Sequence, residues 1–345
     1  MIYFKQTEGG KLEKIEKLSD NSIRMPTRLY GIEFGEQRTY KVTISISCSG
    51  PKNGKVKPSQ LNFLRKREEA NLLYTTNDAD WMYNWSIKDF NEKGYDAGKK
   101  EKHIRLVNPD KKEIIDAFIV AGQYLKSFVG KKNWNGGQIT FIYAGHGLMG
   151  NGALYISEDS FSAENLLNNI VVNLPLSNER CRIDLILDSC YSGAFVGHFI
   201  EEAQKHEDKI FPFELFGSCL HNETSLESSE WEHGILTFSF QKSLEIDPFQ
   251  EPKDEFLPDW QEEVKCSLFQ GGVTYLSSGR QHAFNLRNGN LKVYGATRFF
   301  NIFDELDKDE VLKEDLFKMM DRQREKVQLI DFEKPYSKEM FLVLF

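Results

Sequence analysis

Apolar residues recur along this chain in two rhythms. Tyr40–Cys48 alternates, with Val42, Ile44, Ile46 and Cys48 on one side and Lys41, Thr43, Ser45 and Ser47 on the other, which predicts a half-covered β-strand. Two later runs, QITFIY at 138–143 and RIDLIL at 182–187, are short, rich in Ile, Leu and Phe, and not strictly alternating. That is the pattern of strands buried on both faces of a parallel sheet. Shorter strands are predicted at Arg105–Val107 and Pro212–Gly217. Helices are predicted at 79–90 after Thr75-Thr76-Asn77-Asp78, at 112–128, 162–170, 194–205 and 233–244. In the second of these, Ile114, Ile115, Phe118, Ile119, Ala121 and Leu125 form the expected inward face. Strand and helix therefore alternate, which predicts an α/β fold, a three-layer α/β/α sandwich around a mainly parallel sheet.

The rhythm changes at both ends. Residues 1–37 are mixed and read as an N-terminal extension with a short strand or hairpin. Residues 38–245 carry the α/β pattern. Beyond 245 the chain reads as an α+β segment. It has a hairpin at 283–293 around Asn288-Gly289, a charged amphipathic helix over 304–325 and an apolar strand at 340–345. No Gly/Ser linker sets 246–345 apart, so it is expected to pack on the core. Residues 49–59, with Gly, Pro and three lysines, read as an exposed loop.

Composition narrows the class. The chain is 40% apolar and 28% charged, the profile of a soluble globular protein. A net charge of −8 argues against a nucleic-acid surface. The absence of a long apolar run predicts no membrane span. Five scattered cysteines without CxxC spacing fit a reducing compartment without structural zinc. With no apolar leader at the N-terminus, the expected location is cytoplasmic.

Candidate chemistry sits where the two buried runs stop. The first runs into Ala144-Gly145-His146-Gly147, the second into Asp188-Ser189-Cys190-Tyr191-Ser192-Gly193. A right-handed crossover through the helix between them makes the strands parallel, so His146 and Cys190 leave the sheet at the same edge. Open α/β sheets place their sites there. A thiol and an imidazole at that edge are a nucleophile and its base. The turn into a helix after Cys190 is expected to favour the thiolate through backbone N–H groups and the helix dipole.

YAGHG followed by DSCYSG, with His146 lying 44 positions before Cys190, resembles the caspase/metacaspase superfamily of cysteine proteases, in its metacaspase or bacterial caspase-like form. The likeness covers roughly residues 38–245. It implies a caspase-like fold and a cysteine endopeptidase with a Cys190/His146 dyad. It also implies an oxyanion hole from the backbone N–H groups of Gly147 and Cys190. Asp188, and Asp78 within Asn77-Asp78-Ala79, match the aspartates with which metacaspases select Arg or Lys at P1. Read without that resemblance, Asp78 could cap a helix and Asp188 could orient its loop. The acidic run Glu223, Glu227, Glu230 and Glu232 reads as a solvated loop. The remaining histidines (103, 198, 206, 221, 233 and 282) read as surface or helix residues, with His221 and His233 flanking a candidate substrate loop.

The expected substrate is thus a protein or peptide with a basic P1 residue, cleaved under control by a partner, ligand or processing. No cofactor is expected. Calcium activation, which occurs in metacaspases, has no EF-hand here to carry it. The competing reading is a catalytically silent caspase-like scaffold that binds a partner through 246–345.

Overall fold

The computed structural model describes residues 3–6, 12–15, 40–50, 72–92, 100–174 apart from 133, 135 and 158, 181–245 apart from 207–208 and 230–231, 273, 277, 280–293 apart from 288–289, 300–301 and 312–328. A hairpin of β1 (Tyr3–Gln6) and β2 (Leu12–Ile15) comes first and forms a two-stranded sheet of its own. Then come β3 (Tyr40–Cys48), α1 (Thr75–Glu92), β4 (Glu101–Val107), α2 (Lys111–Lys126) and β5 (Gly137–Gly145). A small hairpin of β6 (Leu154–Ile156) and β7 (Asp159–Phe161) precedes α3 (Ala163–Asn173), β8 (Cys181–Asp188), α4 (Ser192–Gln204) and β9 (Ile210–Gly217). The two-residue strands β10 (Glu227–Ser228) and β11 (His233–Gly234) pair with each other ahead of α5 (Ile235–Glu245). The described part of the chain ends with β12 (Phe284–Arg287), β13 (Asn290–Val293), β14 (Phe300–Asn301) and α6 (Lys313–Gln328).

Among the described residues, one eight-stranded sheet dominates, in the order β14-β13-β12-β9-β8-β5-β3-β4. From β9 to β4 every neighbouring pair is parallel, whereas β12, β13 and β14 join antiparallel at the other side. The fold is α/β, with helices on both faces of a mainly parallel sheet. Alternate residues of each central strand feed two cores. Phe141, Tyr143, Leu185 and Leu187 join Ile114, Phe118 and Leu125 of α2 and Phe195 and Phe199 of α4. Ile142, Ile186 and Phe216 meet Met82 of α1 and Ile235 and Leu236 of α5 on the other face. Burying each such large side chain contributes about 1.5–3 kcal/mol. Capping boxes at Asp110/Glu113 and Ser162/Asn165 start α2 and α3, each worth about 1 kcal/mol.

Several local expectations change. β3 is buried along its whole length, not half-covered. Its polar side lies beneath α1: Lys41 Nζ bonds Ser86, Thr76 Oγ1 donates to Ser47 Oγ at 3.2 Å, and Ser45 Oγ meets His103 Nε2 at 2.7 Å. A strand with alternating polarity is thus covered on both sides because its hydroxyls and amine find partners. In α2, Ile119 faces solvent, and the inward stripe runs through Ile114, Ala117, Phe118, Ala121, Gly122 and Leu125. His282 is buried, and His103 is half-buried on β4, where burial pulls its imidazole down to about 4.

Glu223, read as part of a solvated loop, is buried and accepts hydrogen bonds from Leu220 N, His282 N and His282 Nδ1. Glu230 lies outside the described residues, as do the expected strand at 340–345, residues 51–59 of the basic loop and residues 304–311 of the expected last helix.

The described residues after 245 share the same architecture. The hairpin β12/β13 continues the sheet through Phe284↔Gly217 and Leu286↔Leu215. Leu316, Met319 and Met320 of α6 enter the larger core, beside α4. Among the described residues, no helix is long and apolar enough to cross a membrane.

Candidate active site

Strand register brings the two motifs together. β5 and β8 are parallel, with Ala144 paired to Asp188, so His146 and Cys190 each stand two residues beyond the same rung. Both line one open cleft of about 120 Å³, together with Leu72, Thr75, Asp78, Asp188, Ser225, Leu226, Glu227 and Gly234. All four side chains singled out in the sequence, His146, Cys190, Asp78 and Asp188, therefore share a single cleft at the carboxyl ends of the parallel strands.

Each motif is held by its surroundings. The carbonyl of His146 accepts from Tyr155 N at 2.9 Å and lies 2.9 Å from the Tyr143 hydroxyl. Its ring meets Tyr155 edge-on, with centroids 6.2 Å apart. The small hairpin β6/β7 thus braces the histidine turn, an element that no local pattern in the sequence announced. Cys190 sits at the turn into α4, where Tyr191 adopts a left-handed conformation with φ 57°. A bulky residue there is uncommon and stores strain of order 1–3 kcal/mol. The turn is stitched in place by Tyr191 N to Glu223 O at 2.9 Å, Gly193 N to Cys219 O at 3.0 Å and Ser189 N to Ser218 Oγ at 3.1 Å.

Cys190 is half-buried, whereas Cys48, Cys181 and Cys219 are buried; all four are free thiols, and Cys266 lies outside the described residues. The electrostatics of Cys190 differ from the sequence expectation. Burial, the largest influence, raises its pKa, and the nearby Asp188 charge adds to that rise. The N–H groups of Ser225, Cys190 itself and Gly147 pull the other way without outweighing them. Ser225 N reaches the sulfur at 3.3 Å. The resting side chain is a neutral thiol because desolvation and a neighbouring carboxylate oppose the anion more than the local N–H groups favour it. Gly147, one of the two expected oxyanion donors, has its backbone pressed against that of Cys190.

The two aspartates form the acidic part of the cleft. Asp78 lies in the first turn of α1 and is not its N-cap. Its carboxylate accepts from Gly234 N at 3.1–3.2 Å and meets His233 Nδ1 at 2.7 Å. Asp188 accepts from Ser225 Oγ at 2.9 Å and Thr237 Oγ1 at 3.0 Å. Burial raises Asp78, and burial together with the charge of Asp78 pushes Asp188 up to about 7. The charge of Asp78 opposes ionisation of Asp188 across their shared space, as a nearby like charge does. Glu227 adds a third acid to the cleft and accepts from Leu73 N at 3.2 Å.

Ser225, Thr237, Gly234, His233 and Gln281 complete the site, and sequence reasoning singled out none of them as site residues except His233, noted for flanking a candidate substrate loop. Their roles come from folding a loop and two later segments back over the strand ends, which leaves no local signature. Among the described residues, no group of three or more His, Cys, Asp or Glu is arranged to hold a metal ion.

No protein-family model matches this chain, and no curated protein matches it. Among solved structures it is similar to caspase-1 from Spodoptera frugiperda, with 12% identity and a TM-score of 0.37 over 66% of this chain and 77% of that one.

Proposed function

We propose that this chain is a caspase-like cysteine endopeptidase that hydrolyses peptide bonds after Arg or Lys. The observation that carries the reading is the meeting of His146, Cys190, Asp78 and Asp188 in one cleft at the strand ends. In this reaction the Cys190 sulfur attacks the scissile carbonyl as its proton passes to His146. The oxyanion of the tetrahedral intermediate lies against the N–H groups of Gly147 and Cys190. Collapse breaks the C–N bond, and His146 gives its proton to the departing amine. Water, deprotonated by His146, then hydrolyses the thioester and returns the thiol. Because the thiol rests neutral, its proton has to leave in the course of the reaction.

The acidic pair supports the choice of P1 residue. An Arg or Lys cation between Asp78 and Asp188 replaces their repulsion with charge-assisted hydrogen bonds, each worth about 1.5–3 kcal/mol. The raised carboxyl of Asp188 suits a pocket that becomes fully ionised as its cationic occupant arrives. Control by a partner, ligand or processing belongs to the same reading.

The test is labelling with an Arg-containing acyloxymethyl ketone, followed by mass spectrometry, alongside a fluorogenic panel with Arg, Lys, Asp or Ala at P1. Modification of Cys190 and cleavage after Arg or Lys are the expected results. Preference for Asp overturns the pocket assignment. No labelling and no cleavage, with or without calcium, would favour the scaffold reading.

A further inference from the structure

Gln281 lies far along the chain from both motifs, just before β12, and is completely buried. A buried primary amide is costly unless its donors and acceptor are paired. All three of its side-chain hydrogen bonds go to the loop that overlies the nucleophile. Its Nε2 donates to Ser218 O at 2.9 Å and to Ser225 Oγ at 3.3 Å, and its Oε1 accepts from Leu226 N at 3.1 Å. From behind, its own backbone is fixed by Ser277 Oγ, which accepts from Gln281 N at 3.0 Å.

Ser225 is where the two halves of the site meet. Its N–H reaches the Cys190 sulfur at 3.3 Å, and its hydroxyl donates to Asp188 Oδ1 at 2.9 Å. The next residue along from Gln281 works on the same loop, since His282 bonds the Glu223 carboxylate through both its backbone N at 2.8 Å and its Nδ1 at 2.7 Å. Arg324 of α6 approaches that carboxylate at 3.5 Å and donates to Asn222 Oδ1 at 3.1 Å. Segments after residue 245 therefore grip the 218–226 loop from two sides.

We propose that Gln281 is a positioning residue for this site, clamping Ser225 where it touches both the nucleophilic sulfur and the pocket carboxylate. It acts on the reaction through Ser225 and the neighbouring loop residues that it bonds, and its kinetic consequence rests on the peptidase reading above. The clamp ties attack and P1 recognition to one side chain contributed by the region after 245. A merely space-filling residue would need volume at this position but no hydrogen bonds.

The test replaces Gln281 with a residue of similar volume that makes none of these bonds, Gln281→Met, in the full chain. Iodoacetamide alkylation of Cys190 is followed peptide by peptide across pH. With Ser225 N–H no longer held on the sulfur, the alkylation profile of the variant moves to higher pH. With an Arg substrate, kcat/KM falls roughly 5- to 30-fold, the scale of one or two lost hydrogen bonds. Ser225→Ala, which loses the hydroxyl that Gln281 holds and that bonds Asp188, raises KM for the Arg substrate and moves the alkylation profile in the same direction.

A folded Gln281→Met with the wild-type alkylation profile overturns the clamp. Should that variant not fold, Ser225→Ala decides the matter, and an unchanged KM there overturns the clamp as well. If the wild-type chain cleaves no peptide, the peptidase reading fails while the alkylation profiles still decide the clamp, through Gln281→Met or, should that variant not fold, through the same comparison with Gln281→Leu. That second variant loses all three bonds without adding a charge, and an unmoved profile or a second failure to fold counts against the clamp.

Discussion

Gly147 and Cys190 approach so closely that no side chain fits between them: a Cβ on residue 147 would lie 1.8 Å from the Cys190 carbonyl oxygen. Backbone stands against backbone, so the clash could not be relieved by turning a side chain. The glycine lets the histidine turn and the cysteine turn touch, which is how two motifs from different parts of the chain form one cleft.

Gly147→Ala should therefore separate the two turns. We expect labelling of Cys190 by the Arg ketone to fall at least ~100-fold, with a stability loss of about 1–3 kcal/mol from overpacking. Urea unfolding and labelling rates measured on the same preparation check both. Normal labelling would show that the turns need not touch.

The pH dependence of the pocket follows from Asp188, held at about 7 against an ordinary 3.8. Between those values the folded state keeps a proton that the unfolded chain releases, so this group lowers stability as pH rises from about 4 to 7. Above 7 the carboxylate is ionised and the cost is complete. Asp188→Asn should raise the melting temperature at pH 8 by roughly 2–8 °C. It should also raise KM for an Arg substrate roughly 10- to 100-fold, the worth of a charge-assisted hydrogen bond. In the wild type, KM for that substrate should fall as pH climbs through 7.

Because Cys190 rests as a thiol with a raised pKa, its alkylation by iodoacetamide should still be climbing at pH 9, with no plateau near neutrality. His146→Ala should lower peptide cleavage roughly 10²- to 10⁴-fold, the range of general acid–base assistance, and Cys190→Ala should abolish it. A plateau of alkylation below pH 7 would mean that the thiolate is already formed at rest and that burial does not govern this sulfur.

Helix α6 can be tested through its contact with α4. A Cβ on Gly197 would come within 2.4 Å of the Phe317 ring. Gly197→Ala should destabilise the protein by about 1–3 kcal/mol. Combined with Phe317→Ala, which vacates the space, it should cost less than the sum of the two single changes. Strict additivity in denaturant midpoints would place α6 elsewhere.

How much of this was written in the residues can be judged element by element. The strands at 138–143 and 182–187 were legible because burial on both faces demands continuous apolar runs, and the helices because their stripes and caps are local. The shared edge of His146 and Cys190 was legible because each follows such a run among small residues. β3 misled because its polar face, which reads as solvent-facing, is covered by α1 and satisfied by Ser86, Thr76 and His103. Glu223 misled for the same reason: a charge in an acidic run looks solvated until His282 and Arg324 arrive from later in the chain.

The sequence by itself determined the alternating architecture and the common strand edge of His146 and Cys190, since periodicity and strand ends are properties of neighbours along the chain. Only the tertiary structure decided the protonation of the site and the company it keeps. The rise of Asp188 and Cys190, and the meeting of Ser225 with both, depend on burial and on groups distant in sequence. Desolvation and hydrogen bonding act through space, and no ordering of residues records them until the chain has folded.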